Sequence, residues 1–319
     1  LSDMNRILVT GAAGQIGSEL TLELRNKHGN DNVVAMGRKT KLPAEIEETG
    51  PTVYGDVTDL EGYTKIVKEH EIDTVYHMAA ILSATGEQNP KLAWKVNMDG
   101  LYNVLEVGRE TGMTRLFCPS SIAAFGPETP IDNTPQETVL KPRTMYGVTK
   151  VAGELLCDYY FHKYGLDIRG VRYPGIISYK TLPGGGTTDY AVAIYYDAIQ
   201  KGSYTCFVKE DTQLPMMYMP DCIKGTIDLM NAPLDGLKHH SDFNMGAMSF
   251  TVTELADSIK EHIPDFTCSY EPDFRQAIAD SWPNSLDDSA AREEWGWTPA
   301  YDLPRMTEDM LEKLRAKLG

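Results

Sequence analysis

The segment Arg6-Ile7-Leu8-Val9-Thr10-Gly11-Ala12-Ala13-Gly14-Gln15-Ile16-Gly17 passes from an apolar run through a glycine-spaced turn into an amphipathic stretch. Arg6 to Thr10 reads as a buried strand. From Gly14 to Lys27, the residues Ile16, Leu20 and Leu24 fall on one face of a helix. A G-x-x-G-x-x-G spacing between a strand and a helix is the context in which a dinucleotide-binding turn works. Gly11 permits the tight turn, Gly14 lets the backbone approach a pyrophosphate at the helix N-terminus, and Gly17 lets the helix lie close on the strand. Gln15 and Ile16, at the helix start, are expected beside the same ligand.

The pattern repeats outward. Asn32 to Met36, Thr52 to Tyr54, Asp73 to Met78, Arg115 to Ser121 and Asp167 to Arg172 read as further strands. Amphipathic stretches separate them: Asp59 to Glu69, Lys91 to Thr111 and Tyr146 to Tyr164. Apolar strands alternating with helices predict a parallel sheet covered on both faces, an α/β Rossmann-type doubly wound fold. The texture changes after Tyr173. Gly184-Gly185-Gly186 and Pro183, Pro215, Pro220 and Pro233 mark irregular connections, with helices around 189–201, 221–231, 253–262 and 303–318. The expected division is a dinucleotide-binding domain over 1–172 and a smaller mixed α/β substrate domain over 173–319, with elements of the second half free to return to the first sheet.

Composition narrows the function. The chain has 319 residues, 42% hydrophobic and 24% charged, and a net charge of −16. A chain of this size buries about three quarters of its unfolded surface and needs no staples. The acidic balance disfavours nucleic acid and anionic membrane surfaces as partners. Five scattered cysteines without a Cys-x-x-Cys pair support neither a disulfide framework nor a metal site, and read as reduced thiols of a cytoplasmic protein. The opening residues lack the charged start and long apolar core of a secretion signal.

At the end of the second strand, an acid that would take the adenosine ribose hydroxyls is expected. Gly37-Arg38-Lys39 stands there instead. Arg38 and Lys39 either hold a 2′-phosphate, favouring NADP, or are solvated bases; the spacing leaves both open. Asp56 is the expected adenine contact, with Val57 beside it. Met78, Ala79 and Ala80 follow the fourth strand where the middle of the cofactor passes, and Tyr173 and Ile176 complete the expected cofactor set. His77 reads as a packed histidine, because nothing near it completes a nucleophilic pair.

Tyr146-Gly147-Val148-Thr149-Lys150 is Y-x-x-x-K at a helix start. The spacing puts phenol and ammonium on one face. A neighbouring cation favours the phenolate, which makes Tyr146 a base and leaves Lys150 able to hold the nicotinamide ribose as well. Ser121, after Ser120 at a strand's carboxyl end, can orient a substrate oxygen.

The glycine turn, Ser121, Tyr146 and Lys150 together resemble the extended short-chain dehydrogenase/reductase superfamily. Ala79-Ala80-Ile81-Leu82-Ser83-Ala84, Gly184-Gly185-Gly186-Thr187-Thr188-Asp189-Tyr190, Leu214 to Asp221 and Ser281-Trp282-Pro283 narrow the resemblance to the short-chain L-threonine 3-dehydrogenases, over nearly the whole chain from Ile7 to Leu311. The resemblance implies oxidation of the L-threonine β-hydroxyl with hydride transfer to NAD. It also implies a homodimer paired through the helices near 91–111 and 146–164. Gly37 departs from that family, which usually has an acid at this position. For the substrate zwitterion, Ser83, Thr187 and Thr188 are candidate hydroxyl donors, Asp189 a candidate acceptor, and Trp282 a candidate wall. Thr187, Thr188 and Asp189 also read as a helix cap. Met216-Met217-Tyr218-Met219 reads as packing between the halves. The rival readings are a nucleotide-sugar epimerase or reductase of the same superfamily and a dinucleotide sensor without turnover.

Overall fold

The computed structural model describes residues 4–182 and 184–319; Leu1 to Asp3 and Pro183 lie outside the described residues. Six parallel strands form the central sheet: β1 (Ile7–Thr10), β2 (Val33–Gly37), β3 (Thr52–Tyr54), β4 (Thr74–His77), β5 (Arg115–Phe117) and, past a two-residue strand β6 (Ser120–Ser121), β7 (Ile168–Arg169). Their order is β3-β2-β1-β4-β5-β7, so the chain winds outward from β1 in both directions. Every residue of β1, β2 and β4 is buried. β1 and β2 are unbroken runs of apolar and small residues because both of their faces carry helices.

Those helices are α1 (Gln15–His28), α2 (Ala44–Thr49), α3 (Leu60–Glu69), α4 (Ser83–Gln88), α5 (Pro90–Trp94), α6 (Gly100–Thr111) and α7 (Met145–Tyr164). The expected helix over 91–111 is interrupted by one π-helical turn, Lys95–Asp99. Asn97 in that turn is buried, and its carboxamide accepts from Ile81 N at 2.8 Å and donates to Ile81 O at 3.0 Å and Thr149 Oγ1 at 3.2 Å. The bulge turns a polar group inward to satisfy the loop after β4.

Two expected strands are each split. The run 115–121 breaks at Pro119, which has no N–H to continue the ladder. β6 then pairs with β8 (Val171–Tyr173), Ser121 opposite Tyr173. Gly170 separates β7 from β8; its N–H donates to His240 O at 2.9 Å, and a Cβ there would lie 2.2 Å from Cys118 O.

The second half supplies β9 (Gly175–Ile177), β10 (Ser203–Cys206), β11 (Gln213–Tyr218), β12 (Phe243–Asn244), β13 (Met248–Thr251) and β14 (Thr267–Tyr270), with α8 (Tyr190–Lys201), α9 (Met219–Asn231), α10 (Val252–Lys260), α11 (Arg275–Ala279), α12 (Ser289–Trp295) and α13 (Leu303–Leu318). β12 returns to pair with β8, and β11 joins β9 to β13. Alternation along β11 sends Met216 into the apolar cluster that holds Tyr146 and Tyr190, and Met217 into the one that holds Val9 and Val171. Below β7, the buried Arg169 donates to Leu229 O and Ala232 O at the C-terminal end of α9, and Asp167 pairs with both Arg169 and Arg115. Cations at a helix C-terminus satisfy its free carbonyls.

Candidate active site

The carboxyl ends of β1, β2 and β4 surround a cradle. Gly11 has φ +66, and a Cβ on it would lie 2.7 Å from Ala79 N, so the turn admits only glycine there. Gly14 is the N-cap of α1, where no side chain caps the helix and no acid stands in its first turn. Gly17 lies against the turn: a Cβ there would come 2.2 Å from Gly11 O. The helix thus presents free amides with the positive end of its dipole, which fits a dinucleotide pyrophosphate.

The adenosine end is a separate hollow with about 880 Å³ of free space, lined by Gly11, Gly37, Arg38, Lys39, Asp56, Val57 and Ala79 among others. Arg38 Nε lies 2.8 Å from Asp56 Oδ2. The other Asp56 oxygen accepts from Thr58 N at 2.9 Å and Thr58 Oγ1 at 2.7 Å. Burial works to raise the Asp56 carboxyl, but the bonds from Thr58 and Arg38 outweigh it and hold it below its ordinary value. Gly37 is crowded: a Cβ would sit 3.0 Å from the Tyr54 ring and 3.2 Å from Leu42. Tyr54 is held by a donated bond to Glu47 and an accepted one from Leu42 N.

A second cleft, with about 800 Å³ of free space, opens between the two halves of the chain. From the first half it is lined by Gln15, Ile16, Met78, Ala80, Ser83, Ser121, Tyr146 and Lys150. From the second come Tyr173, Ile176, Thr187, Thr188, Asp189 and Trp282. Tyr146 and Lys150 lie one turn apart on α7, which starts where Thr144 Oγ1 accepts from Gly147 N at 3.0 Å. The Lys150 ammonium is 5.3 Å from the centre of the Tyr146 ring and donates to Pro119 O at 2.9 Å. Ser121 accepts from Ala123 N at 3.1 Å and is otherwise turned to the cleft.

The loop before α8 docks on the N-terminus of α4. Gly185 O accepts from Ala84 N at 3.1 Å, and Ser83 Oγ accepts from Thr187 N at 3.1 Å and bonds Thr187 Oγ1 at 3.0 Å. Gly185 has φ +97, and a Cβ would come 2.0 Å from Thr85 Oγ1. Asp189 turns back to the loop: its Oδ2 accepts from Gly185 N at 3.1 Å and Gly186 N at 2.9 Å. It makes no side-chain cap for α8, so the expected forward cap is replaced by a backward one. Burial raises the Asp189 carboxyl, against the pull of those amides. His77 is buried and bonded to Thr10 Oγ1 at 2.9 Å. Burial first, and the Lys150 charge second, push its imidazole down to about 3, so it is neutral at neutral pH.

Sequence reasoning passed over several residues here. Pro119, Ile122, Leu82, Pro174 and Gly175 also line the cleft. Asn97 fixes the loop bearing Ile81. Among the described residues, Lys150 is the one basic side chain lining this cleft, and no cluster of potential metal ligands occurs.

The model of the NAD dependent epimerase/dehydratase family matches residues 7–246. A Staphylococcus haemolyticus protein described as an uncharacterized epimerase/dehydratase is 51% identical over 315 residues, covering 98% of this chain and 99% of that one. The crystal structure of the L-threonine dehydrogenase of Clostridium difficile superposes with a TM-score of 0.96 at 54% identity, covering 99% of each chain. A monomeric L-threonine 3-dehydrogenase from a metagenome, in its apo form, superposes with a TM-score of 0.94 at 51% identity, over 98% of this chain and 100% of that one.

Proposed function

The chain belongs to the NAD dependent epimerase/dehydratase family, and from that membership and the contents of the cleft we propose that it oxidises the β-hydroxyl of L-threonine to 2-amino-3-oxobutanoate. The observation that carries this reading is one cleft lined by a phenol, an ammonium and a strand-end serine together with the hydroxyls of Ser83, Thr187 and Thr188. The glycine turn and the free amides of α1 would hold the pyrophosphate, the hollow at Arg38 and Asp56 the adenosine, and Lys150 the nicotinamide ribose. When bound, NAD supplies the acceptor for the hydride of the alcohol carbon. Ser121 donates to the substrate oxygen and orients it. Tyr146 takes the hydroxyl proton, with the Lys150 ammonium one helical turn away on the same face. The hydroxyls of the 187–188 loop and Ser83 meet the carboxylate. Asp189, already bonded to its own loop, faces the ammonium across water. Trp282, buried at the edge of the second half, walls off solvent.

The same cleft argues against a nucleotide sugar, whose diphosphate needs more than the single cation of Lys150. Among the described residues, no helix is long and apolar enough to cross a membrane. All five cysteines are free thiols, in keeping with a cytoplasmic setting. Tyr102, Val148, Leu155 and Tyr159 are exposed on α6 and α7, in keeping with a homodimer through these helices. The test is the appearance of reduced nicotinamide absorbance with NAD and L-threonine. No turnover of L-threonine by fully folded, NADH-binding protein would overturn the reading.

A further inference from the structure

Three consecutive residues just beyond β5, Pro119, Ser120 and Ser121, face a ladder on α7. Tyr146, Lys150 and Glu154 stand four residues apart on that helix and share one face. Lys150 donates to Pro119 O at 2.9 Å, and Ser120 Oγ donates to Glu154 Oε1 at 2.5 Å. Tyr146 and Ser121 then line the cleft together. The chemistry proposed above uses the first two rungs of the ladder and leaves the third, Glu154, without a task.

Glu154 is buried and gives both of its oxygens to Arg172, at 2.9 Å each. Arg172 is 2% exposed and stands on β8 directly opposite Ser120 of β6. It also donates to Gln136 O at 2.8 Å and Asn244 Oδ1 at 3.1 Å. One carboxylate therefore ties the helix that carries Tyr146 and Lys150 to the strand end that carries Ser121, and ties both to β8. β6 is only Ser120–Ser121 and follows a proline, so few ladder bonds hold it. Something else must set its distance from α7.

We propose that Glu154 is a positioning residue for the active site: by accepting from Ser120 and Arg172 it holds Ser121 at the separation from Tyr146 and Lys150 that proton transfer requires. Its action runs through Ser120 and the strand, and it touches neither substrate nor cofactor. The kinetic part of this proposal rests on the L-threonine reading; the geometric part does not.

Ser120→Ala removes the link and leaves the Glu154–Arg172 pair intact, so it is the deciding variant. Glu154→Gln leaves Arg172, among the described residues, with Asp242 at 3.8 Å as its ion-pair partner, and tests the same link more severely. The crystal structure of Ser120→Ala with NADH is expected to show Ser121 displaced from Tyr146 by about 0.5 Å or more, the tolerance of a working site. Its kcat with L-threonine, counted per NADH-binding site, is expected to fall about ten- to hundredfold. Its NADH affinity should stay within about twofold of the unmodified protein, a split that a loss of folded protein does not produce. Ser121 superposing on its original position overturns the proposal, as does a kcat per site within about twofold of the unmodified protein. If the unmodified protein does not turn over L-threonine, the substrate reading falls and the crystal structure alone decides the role of Glu154.

Discussion

Arg38 and Asp56 form an ion pair, Nε to Oδ2 at 2.8 Å, across the carboxyl ends of β2 and β3. The guanidinium that has the charge to hold a 2′-phosphate is thereby engaged by the carboxylate expected at the adenine. At its neighbour Gly37, where an acid would take the ribose hydroxyls, a Cβ would meet the Tyr54 ring at 3.0 Å and Leu42 at 3.2 Å, so a side chain there needs both to shift by a few tenths of an ångström. The pairing favours NAD, since the Asp56 carboxylate beside Arg38 offsets the charge that a 2′-phosphate would meet and repels that phosphate. The ratio of kcat/KM for NAD over NADP should lie well above one. Arg38→Ala should raise that ratio further, by about tenfold or more, since a charge-assisted bond is worth on the order of 1.5–3 kcal/mol. A ratio below one in the unmodified protein would show Arg38 to be a phosphate ligand.

Tyr146→Phe keeps the buried ring and removes the proton acceptor. Turnover should drop by roughly 10²–10⁴-fold, the usual range for a general base. NADH binding, followed by nicotinamide fluorescence, should be nearly unchanged. Near-normal turnover would take Tyr146 out of the reaction.

Gly185→Ala should loosen the loop that bears Thr187. The added Cβ would meet Thr85 Oγ1 at 2.0 Å, in a backbone conformation that costs L-residues on the order of 1–2 kcal/mol. The bonds from Ala84 and Thr85 amides to Gly185 O, and from Thr187 N to Ser83, then weaken together. We expect KM for the amino acid to rise about tenfold, equivalent to about 1.4 kcal/mol, with NADH affinity unaltered. An unchanged KM would separate this loop from substrate binding.

His77 should impose an acid limit on stability. Its imidazole titrates near 6.5 when unfolded and near 3 when folded, because burial and then Lys150 disfavour its charged form. Between those values the unfolded chain binds a proton that the folded chain does not. Its contribution is therefore intact above pH 6.5 and is lost progressively as pH falls toward 3. The loss amounts to about 2 kcal/mol at pH 5. Urea unfolding at pH 7 and pH 5 checks this. His77→Asn should lose about 2 kcal/mol less over that interval than the unmodified protein, and equal losses would remove His77 from the acid limb.

What the sequence determined by itself was whatever is encoded within a few residues. The β1–glycine turn–α1 unit was legible because strand and helix periods and the glycine spacing are local. Tyr146 and Lys150 were legible as a pair because four residues make one helical turn, and Ser121 because a strand's carboxyl end is recognisable from its apolar run. The tertiary structure alone decided the rest. Ser83 and Thr187 bond each other although 104 residues separate them, and no local signal joins them. The split of β5 from β6 needed Pro119 to meet a ladder it cannot continue. Gly37 is crowded only because Tyr54 and Leu42 fold over it. Glu154, an acid in an unremarkable helical stretch, acquires its place from Arg172 and Ser120 on two strands, since a buried carboxylate is tolerable only where packing brings it a cation and a donor.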